Sequence, residues 1–588
     1  MTILKTIQEH KYAVITALII GLIFLLPHIY IYLLLSGENK EYYPITVKQI
    51  ETKTFDESHY AGYVKDVSDG HIIPRTQITE WKNSSRFSST NPLPATILGI
   101  FNSFLGIKMT IILSSFILPI ILFSLFYLFA HLITKNKIMS IFISVFLFFP
   151  PNYLYIAYQN NITQKISYFS RFYAVSFNFI IFSLALILLY QTIKKEKYSL
   201  AIITGIIAGL LFYTYFYYWT FYSALIGIMI TFFIIRKDKK NIKKISLILF
   251  AIIITIIPFF KNIMAYAPNK NEMLLRNGAI FTHLPYKPEL TFLLCIILGY
   301  MIYKKSWKVQ EGIFIMSLLI TSIVTLNIQV LIGYKVLPLH YIKTAIYPII
   351  LLTGAYLYSL RPISKWRINY LILGGTIFLL FFALFWQIAY SNNMYHYYTL
   401  SKDKEQVLKW LNQNTKTDDV ILTIDPEMIQ LIPIYTHNNN YIPNAITDIV
   451  PLKEIIDRRL TAYHILSITI NNFDFLDNPC NFVKILNQPL NEKKKTIFNE
   501  SAYRLAFSTR FTFSYIFTQK CQIPEETKKA IYEKYDSFSK NKNELFSRYH
   551  FNYILITPFD KKIIQTDHLS DSKKIYENEN YIIYKIES

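Results

Sequence analysis

An apolar run and the polar segment that follows it define the fold of this chain. They are YAVITALIIGLIFLLPHIYIYLLL at residues 12–35 and, further on, Phe55-Asp56-Glu57-Ser58-His59-Tyr60. The apolar run is long enough to cross a hydrocarbon core of about 30 Å. The second stretch combines two carboxylates, a histidine and a tyrosine, and it is too polar to lie in lipid. We therefore expect functional residues in a loop just beyond a membrane exit.

The rest of the chain repeats such apolar runs. The protein has 588 residues, of which 53% are hydrophobic. The apolar residues are grouped in runs of roughly 16 to 25, the length that a membrane-spanning helix needs. Soluble proteins of this size usually divide into domains with a lower apolar share. The composition predicts a polytopic α-helical membrane protein.

The net charge of +22 is explained by membrane topology. Six short segments between the apolar runs hold 19 Lys and Arg against three acidic residues. The positive-inside rule places these segments in the cytoplasm, which argues against nucleic-acid binding as the reason for the charge. They are residues 1–11, 133–137, 194–197, 236–244, 304–308 and 361–367.

The charge pattern and the apolar runs together predict about eleven transmembrane helices in the cytoplasmic membrane. The N-terminus is expected inside as an uncleaved anchor, because no small-residue cleavage site follows the first run. The predicted spans are residues 12–35, 109–132, 138–157, 172–193, a helical pair within 198–235, 245–261, 289–303, 309–326, 341–360 and 368–390. An odd number of spans places the C-terminal part outside.

Domain organisation follows from an abrupt fall in hydropathy after Tyr390. We predict a transmembrane domain at 1–394, with a first external loop at 36–92, and a soluble extracytoplasmic α/β domain at 395–588. Helical spacing of apolar residues occurs at Lys404–Asn412, and a second helix fits Leu452–Ala462. Short apolar runs predict strands at residues 420–424, 553–556 and 581–584. Cys480 and Cys521 could pair outside the cell, but the spacing of the three cysteines does not require it.

The acidic doublet in the first external loop is the strongest chemical candidate. A carboxylate half-shielded from water at the outer membrane surface can act as a general base towards a hydroxyl. With a second acid it can also hold a divalent cation. The alternative is a solvated acidic pair in a polar loop. His59 and His71 fit hydrogen-bonding roles better than metal ligation, because their spacing is not of a metal-binding type.

The surrounding residues extend the doublet into a longer pattern. Asp56-Glu57-Ser58-His59-Tyr60-Ala61 is followed by Gly70 and Pro74, by Asn91-Pro92-Leu93, and by Phe104-Leu105-Gly106. This pattern resembles the first external loop of the GT-C superfamily of integral-membrane glycosyltransferases. Protein O-mannosyltransferase-like and aminoarabinose-transferase-like families are the most similar. The motif detail covers roughly residues 12–110, and the rest of the resemblance is one of topology.

The resemblance implies a GT-C-like fold, a polyprenyl-phosphate-linked sugar donor and an acidic catalytic residue in the first loop. It favours Asp56 as the base, with Glu57 second. His59 and Tyr60, next to the doublet, are candidate substrate-binding residues. The chain departs from the pattern in two places. Thr90-Asn91-Pro92-Leu93 replaces Lys-Pro-Pro-Leu, and His59 replaces an arginine. These departures leave the subfamily and the sugar open.

Basic residues on the predicted outer face form a second set of candidates, because the positive-inside rule does not require them there. They could neutralise the phosphate of a lipid-linked donor as its glycosidic bond breaks. Alternatively, they extend to outer-leaflet head groups. Arg171 and His340 stand out because both lie among aromatic residues. The candidate substrate-binding residues are Lys165, Arg171, Arg276, Lys335 and His340.

The sequence thus predicts a membrane glycosyltransferase that moves a hexose or a pentose. The donor would be a polyprenyl-phosphate-linked sugar and the acceptor a lipid, a glycan or a protein at the outer face. The predicted partners also include membrane lipids. Whether a divalent cation is required is left open. The alternatives are a non-catalytic scaffold of the same fold and a lipid or polysaccharide translocase. A translocase would be expected to show repeated spans and charged residues within them, and the sequence shows neither.

Overall fold

In the residues that it describes, the computed structural model contains helices in the apolar part of the chain and a five-stranded sheet near the C-terminal end. It describes residues 8–45, 55–75, 92–149, 167, 169, 174–266, 280–285, 290–335, 338–360, 365–442, 452–468, 525–538, 549–562, 564 and 572–586. The chain divides into two compact units. The first unit comprises Met1–Asn39, Met109–Ile263 and Ile280–His396, and the second comprises Lys40–Lys108, Met264–Ala279 and Tyr397–Ser588.

The helices up to residue 394 are mostly long and apolar. They are Lys11–Gly37, Phe55–Ser68, Pro92–Thr134, Lys137–Phe148, Ala174–Lys194, Tyr198–Leu210, Phe216–Ile235, Lys239–Tyr266, Leu290–Ser306, Gln310–Leu326, Gln329–Ile332, Pro338–Tyr341, Tyr347–Ser359 and Lys365–Met394. Among the described residues, six helices are long and apolar enough to cross a membrane, and three shorter apolar helices accompany them. The number of eleven spans stays a prediction.

The predicted helical pair within residues 198–235 is confirmed as two helices. The first ends at Leu210, a 3₁₀ turn covers Leu211–Tyr213, and the second begins at Phe216. The helical conformation is interrupted at Thr214 and Tyr215, whose ψ angles are −136° and 130°. The aromatic residues between Phe212 and Trp219 therefore lie at or next to this break.

The helix Pro92–Thr134 contains a break of its own at Gly106. This residue has φ 73° and ψ 158°, a backbone conformation that glycine adopts readily and other residues do not. The part before the break, residues 92–105, lies outside the predicted spans. The part after it contains the span predicted at 109–132. A glycine at this position is needed for the change of direction.

In the first unit, apolar helices pack against one another in pairs. Lys365–Met394 packs against both Lys11–Gly37 and Lys137–Phe148, and Gln310–Leu326 packs against both Leu290–Ser306 and Phe216–Ile235. A short antiparallel pair, β1 (Ile280–Phe281) and β2 (Tyr334–Lys335), joins two connecting segments. The helix pairs bury apolar side chains between them.

The second unit contains the first external loop and the residues after Tyr397. Its C-terminal helices are Lys402–Asn414, Pro426–Tyr435, Leu452–Ile465 and Glu525–Phe538. Its strands are β3 (Val420–Leu422), β4 (Asn439–Asn440), β5 (Tyr553–Ile556), β6 (Lys573–Glu577) and β7 (Ile582–Lys585). They form one sheet in the order β4-β3-β5-β7-β6. The pairs β3–β4 and β3–β5 are parallel, and the pairs β5–β7 and β6–β7 are antiparallel.

Helices cover both faces of this sheet. Successive side chains of a strand point to opposite faces, so neighbouring residues of β5 pack against different helices. On one face, Leu555 packs with Leu411 and Leu431, which belong to the helices Lys402–Asn414 and Pro426–Tyr435. On the other face, Ile554 packs with Leu460 of the helix Leu452–Ile465. The central strands are consequently buried on both sides, which explains their unbroken apolar sequence.

Candidate functional site

The acidic doublet lies at the start of the helix Phe55–Ser68, named here the first-loop helix. Asp56 and Glu57 are in its first turn, and at that position the carboxylate of Glu57 interacts favourably with the helix dipole. One face of the helix is apolar and buried, with Ala61, Val64 and Val67. The helix ends before Gly70, whose φ of 112° is the left-handed conformation typical of a residue after a helix.

The first-loop helix crosses the segment that begins at Pro92 at very short range. A Cβ atom on Gly99 would lie 2.4 Å from the Cβ of Val67 and 2.9 Å from the carbonyl oxygen of Val64. Close to this crossing, Asn102 Nδ2 donates a hydrogen bond to Ser68 Oγ at 2.6 Å. The absence of a side chain at Gly99 therefore allows the C-terminal half of the first-loop helix to approach this segment closely.

Glu57 is buried, with 4% of its surface exposed, so it is not part of a solvated acidic pair. The next residue, Ser58, donates a hydrogen bond to Gln430 Oε1 at 3.0 Å, and both groups are buried. Gln430 belongs to the helix Pro426–Tyr435, which packs on the first-loop helix. Burial raises the pKa of Tyr42 well above its usual value, and the nearby Tyr398, Tyr435 and Glu57 raise it further. Glu57 is thus close enough to the buried phenol of Tyr42 to affect its pKa.

The other residues of the doublet region are less fully placed. Asp56 and His59 lie in the first-loop helix, but their side chains are outside the described part of the structure. Tyr60 is half-buried. The assignment of Asp56 or Glu57 as the base therefore stays a prediction.

Only some of the predicted basic residues lie in the described part of the structure. Lys165, Arg171 and Arg276 lie outside the described residues. Lys335 forms part of β2, opposite Ile280, and its side chain is not described. His340 is the member of this set whose side-chain contacts the structure gives.

His340 lies within the aromatic cluster at the break between two apolar helices. Its Nδ1 is hydrogen-bonded to the hydroxyl of Tyr215. Its ring stacks on Tyr217, with ring centroids 4.9 Å apart and an interplanar angle of 12°. The hydroxyls of Tyr341 and Thr220 are 2.7 Å apart, which connects the same two chain segments. A π-helical turn at Ile342–Ile346 follows, a feature that is frequent at functional sites.

A cluster of four charged residues, named here the Arg75 cluster, was not predicted. It consists of Asp66, His71, Arg75 and Asp418. Arg75 Nη2 lies 3.0 Å from Asp66 Oδ1, 3.1 Å from Asp418 Oδ1 and 2.8 Å from His71 Nδ1. The backbone N–H of Arg75 also donates to Asp66 Oδ2 at 2.8 Å. Asp66 lies on the first-loop helix and Asp418 just before β3, so the cluster joins two distant parts of the sequence.

Asp66, His71 and Asp418 have the side-chain types of a metal site, and their ligand atoms lie close together. However, Nη2 of Arg75 is at the point where those atoms converge, at distances of 2.8 to 3.1 Å. The guanidinium already supplies the positive charge that the two carboxylates need. The donor set therefore fits an ion-pair cluster better than a metal centre.

A second unpredicted feature is a pair of buried carboxyl groups at the ends of the parallel strands β3 and β5. Asp425 caps the helix Pro426–Tyr435 and accepts hydrogen bonds from the N–H groups of Glu427 and Met428 at 2.8 and 3.3 Å. Asp560 Oδ2 accepts one from the N–H of Thr557 at 2.8 Å. Asp560 Oδ1 is buried and has no hydrogen-bond partner among the described residues. Burial and the charge of Asp425 raise the pKa of Asp560 well above its usual value.

The chain is similar in structure to ArnT from Cupriavidus metallidurans. A crystal structure of ArnT bound to undecaprenyl phosphate matches with 10% sequence identity and a TM-score of 0.42, over 90% of this chain and 93% of that chain. The apo state of ArnT matches over the same shares of both chains with 10% identity and a TM-score of 0.37. No protein-family model matches the chain, and no curated protein matches its sequence. Because the identity and the TM-scores are low, we infer the function from the chain's own residues.

Proposed function

We propose that the protein is a membrane glycosyltransferase that uses a polyprenyl-phosphate-linked sugar. The observation that carries the proposal is the pattern from Asp56-Glu57 to Phe104-Leu105-Gly106. Two parts of that pattern have a physical reason in the structure. The doublet is in the first turn of a helix, and Gly106 has the positive φ that the break after Phe104 requires. Both support a built site in preference to a chance match.

The proposed reaction is a direct displacement at the anomeric carbon. A carboxylate of the doublet takes the proton from an acceptor hydroxyl, and the hydroxyl oxygen forms a bond to the anomeric carbon. The bond between that carbon and the phosphate oxygen breaks, and the phosphate retains the electron pair. This single displacement inverts the anomeric centre. Asp56 is the first choice for the base and Glu57 the second.

The departing phosphate needs positively charged or hydrogen-bonding groups near the outer membrane surface. We assign this role to Arg171 first and then to Lys165, Arg276 and Lys335. His340 is a candidate for contact with the sugar or the phosphate. The aromatic rings of Tyr215 and Tyr217 beside His340 support this role, because apolar faces with a few oriented polar groups are typical of ligand sites.

The proposal includes the orientation predicted by the basic segments. The N-terminus would be in the cytoplasm, and the first-loop helix and the C-terminal α/β domain at 395–588 would be outside. Cytoplasmic nucleotide sugars are not accessible to a site in that position. A lipid-linked donor presented at the outer face would be accessible to it. The acceptor would be a lipid, a glycan or a protein of the cell envelope.

The test is sugar transfer from a polyprenyl-phosphate-linked sugar by the purified full-length protein in lipid nanodiscs, with a deletion strain's envelope extract as acceptor. Asp56→Asn is expected to lower kcat by at least about a hundredfold, because general-base catalysis contributes roughly that factor. Glu57→Gln is compared with it to separate the two carboxylates. Asp69→Asn is the matched control, since Asp69 is paired with Lys65 at the other end of the same helix.

Transfer by Asp56→Asn at the native rate, together with a large loss in Glu57→Gln, would assign the base to Glu57. Native rates in both variants would contradict a catalytic doublet. No transfer by the wild-type protein from any polyprenyl-phosphate sugar would contradict the proposed function itself.

A further inference from the structure

The Arg75 cluster lies at the C-terminal end of the first-loop helix. Asp66 is in the last third of that helix, and His71 and Arg75 follow its end. Asp418 comes from the segment before β3, more than three hundred residues further along the chain. The cluster is therefore a polar connection between the helix that carries the acidic doublet and the C-terminal sheet, within one compact unit.

Arg75 is the centre of this connection. A single nitrogen, Nη2, is within hydrogen-bond distance of a carboxylate oxygen from each side, Asp66 at 3.0 Å and Asp418 at 3.1 Å. The Arg75 side chain is 14% exposed and that of Asp66 is 13% exposed. Ion pairs with this degree of burial are less screened than those at a free surface. Loss of one partner leaves the other charges partly buried and uncompensated.

His71 adds a group whose protonation changes the hydrogen bonds of the cluster. Its Nδ1 lies 2.8 Å from Arg75 Nη2, which can only donate. The same Nδ1 lies 3.0 Å from Asp66 Oδ1 and 3.1 Å from the Asp66 carbonyl oxygen, which can only accept. Unprotonated Nδ1 accepts from Arg75, whereas protonated Nδ1 donates to Asp66. The neutral tautomer with its proton on Nε2 and the protonated ring therefore use different sets of hydrogen bonds.

Among the described residues, the charged groups that face His71 belong to this cluster or adjoin it. Asp66 faces it from the first-loop helix, Arg75 from its own segment, and Asp418 faces Nε2 at 3.7 Å from the segment before β3. Asp69 interacts with both Asp66 and His437 and is the next acidic group. The hydrogen bond and charge of Asp66 and the charge of Asp418 raise the pKa of His71, against the opposing effects of burial and of Arg75.

We propose that Arg75 and Asp418 are positioning residues that hold the first-loop helix in place, and that protonation of His71 strengthens this connection. The cluster has two carboxylates and one guanidinium, so a protonated His71 brings its formal charge to zero. In the neutral form one negative charge is left in a half-buried site. A contribution of this connection to catalysis rests on the proposed function, because the first-loop helix carries Asp56 and Glu57.

The sign of the pH dependence follows from the raised pKa. A histidine with a raised pKa in the folded state stabilises that state fully below its unfolded value of about 6.5. This contribution is lost as the pH rises through the folded-state pKa. We therefore expect the first-loop helix to be best protected on the acidic side of neutrality.

The experiment is hydrogen–deuterium exchange of the full-length protein in nanodiscs, followed in peptides that cover residues 57–68. Arg75→Met and Asp418→Asn are expected to raise the exchange rate about fivefold, the effect of losing a partly buried charge-assisted hydrogen bond. Arg75→Lys keeps the charge and should recover part of the protection. Asp69→Asn is the matched control, because it removes the ion pair with Lys65 at the end of the helix and leaves the connection to Asp418 intact.

Two further variants test the connection itself. The double variant Arg75→Met, Asp418→Asn should exchange no faster than Arg75→Met alone, since loss of Arg75 already removes its ion pair with Asp418. His71→Asn should abolish the difference in protection between about pH 5.5 and about pH 8.5, after correction for intrinsic exchange.

Wild-type exchange in Arg75→Met and Asp418→Asn would overturn the proposal, and so would an equal effect of Asp69→Asn. A pH dependence that persists in His71→Asn would overturn the role of His71. These readouts do not need activity, so they separate failure of this inference from failure of the proposed function. With an active protein, the positioning variants should lower kcat while leaving KM for the donor within about twofold.

Discussion

The Arg75 cluster and the pair of Asp425 and Asp560 place carboxylates in opposite electrostatic settings within the same compact unit. In the cluster, two half-buried carboxylates face a guanidinium and a histidine. In the pair, two buried carboxyl groups are close enough for the charge of one to raise the pKa of the other. A compensated site can keep its carboxylates ionised, whereas an uncompensated one must keep a proton.

The buried pair divides its roles by hydrogen bonding. Asp425 accepts two N–H groups at a helix N-terminus, which favours its ionised form, but burial and the charge of Glu427 outweigh this effect and raise its pKa. Asp560 has one oxygen without a partner among the described residues, which suits a protonated carboxyl group. The pair therefore connects the turn after β5 with the helix after β3, and both carboxyl groups are buried.

The largest expected effect on stability comes from removing the hydrogen bonds of Asp560. Asp560→Leu removes the acceptor of the Thr557 N–H and of the Thr423 hydroxyl, and both would be left buried. We expect the free energy of unfolding to fall by about 3 kcal/mol. A lowered thermal midpoint of the full-length protein, followed by tryptophan fluorescence, would measure it. Asp560→Asn keeps an acceptor oxygen and is the matched control. Equal losses in both variants would contradict a protonated Asp560.

A smaller effect is expected in the pH dependence of stability. The pKa of Asp560 is raised in the folded state, so the folded protein binds more protons than the unfolded chain from about pH 4 up to the raised pKa. Stability therefore falls as the pH rises through that window. Asp560→Asn does not titrate, and its thermal midpoint should fall less between about pH 5 and about pH 8. An unchanged fall would show that Asp560 is ionised in the folded protein.

The smallest effect is expected at the compensated site. Arg75→Lys keeps a positive charge between Asp66 and Asp418 but loses the planar guanidinium. The global free energy of unfolding should change by about 1 kcal/mol or less, because partly exposed ion pairs contribute little to it. The thermal midpoint of Arg75→Lys is measured and compared with that of Asp560→Leu. A loss as large as that of Asp560→Leu would mean that the cluster is as critical to folding as the buried pair.

Local sequence predicts structure well wherever one segment determines its own conformation. The strand at Tyr553–Ile556 has the predicted bounds, and the helix predicted at Lys404–Asn412 is found at Lys402–Asn414. The predicted helical pair within residues 198–235 is also found. Apolar periodicity and run length carry this information directly.

The first-loop helix and its partners are beyond such reasoning. Residues 36–92 have the sequence of a polar loop, because their apolar residues are few and form no long run. Burial of Glu57 and the hydrogen bond from Ser58 to Gln430 depend on a helix some 370 residues away. His340 and the aromatic residues around Tyr217 are separate features of the sequence, and only the packing of their helices brings them into contact.

The membrane class, the candidate spans and the acidic first loop can be derived from sequence, because run length, charge and local motifs are properties of neighbouring residues. Which of those residues meet depends on the folded chain. Folding buries Glu57, encloses His340 in aromatic rings and joins Asp66 to Asp418 through Arg75. The physical reason is that burial and charge compensation depend on distances in space. Residues far apart in the chain come within those distances only after the chain has folded.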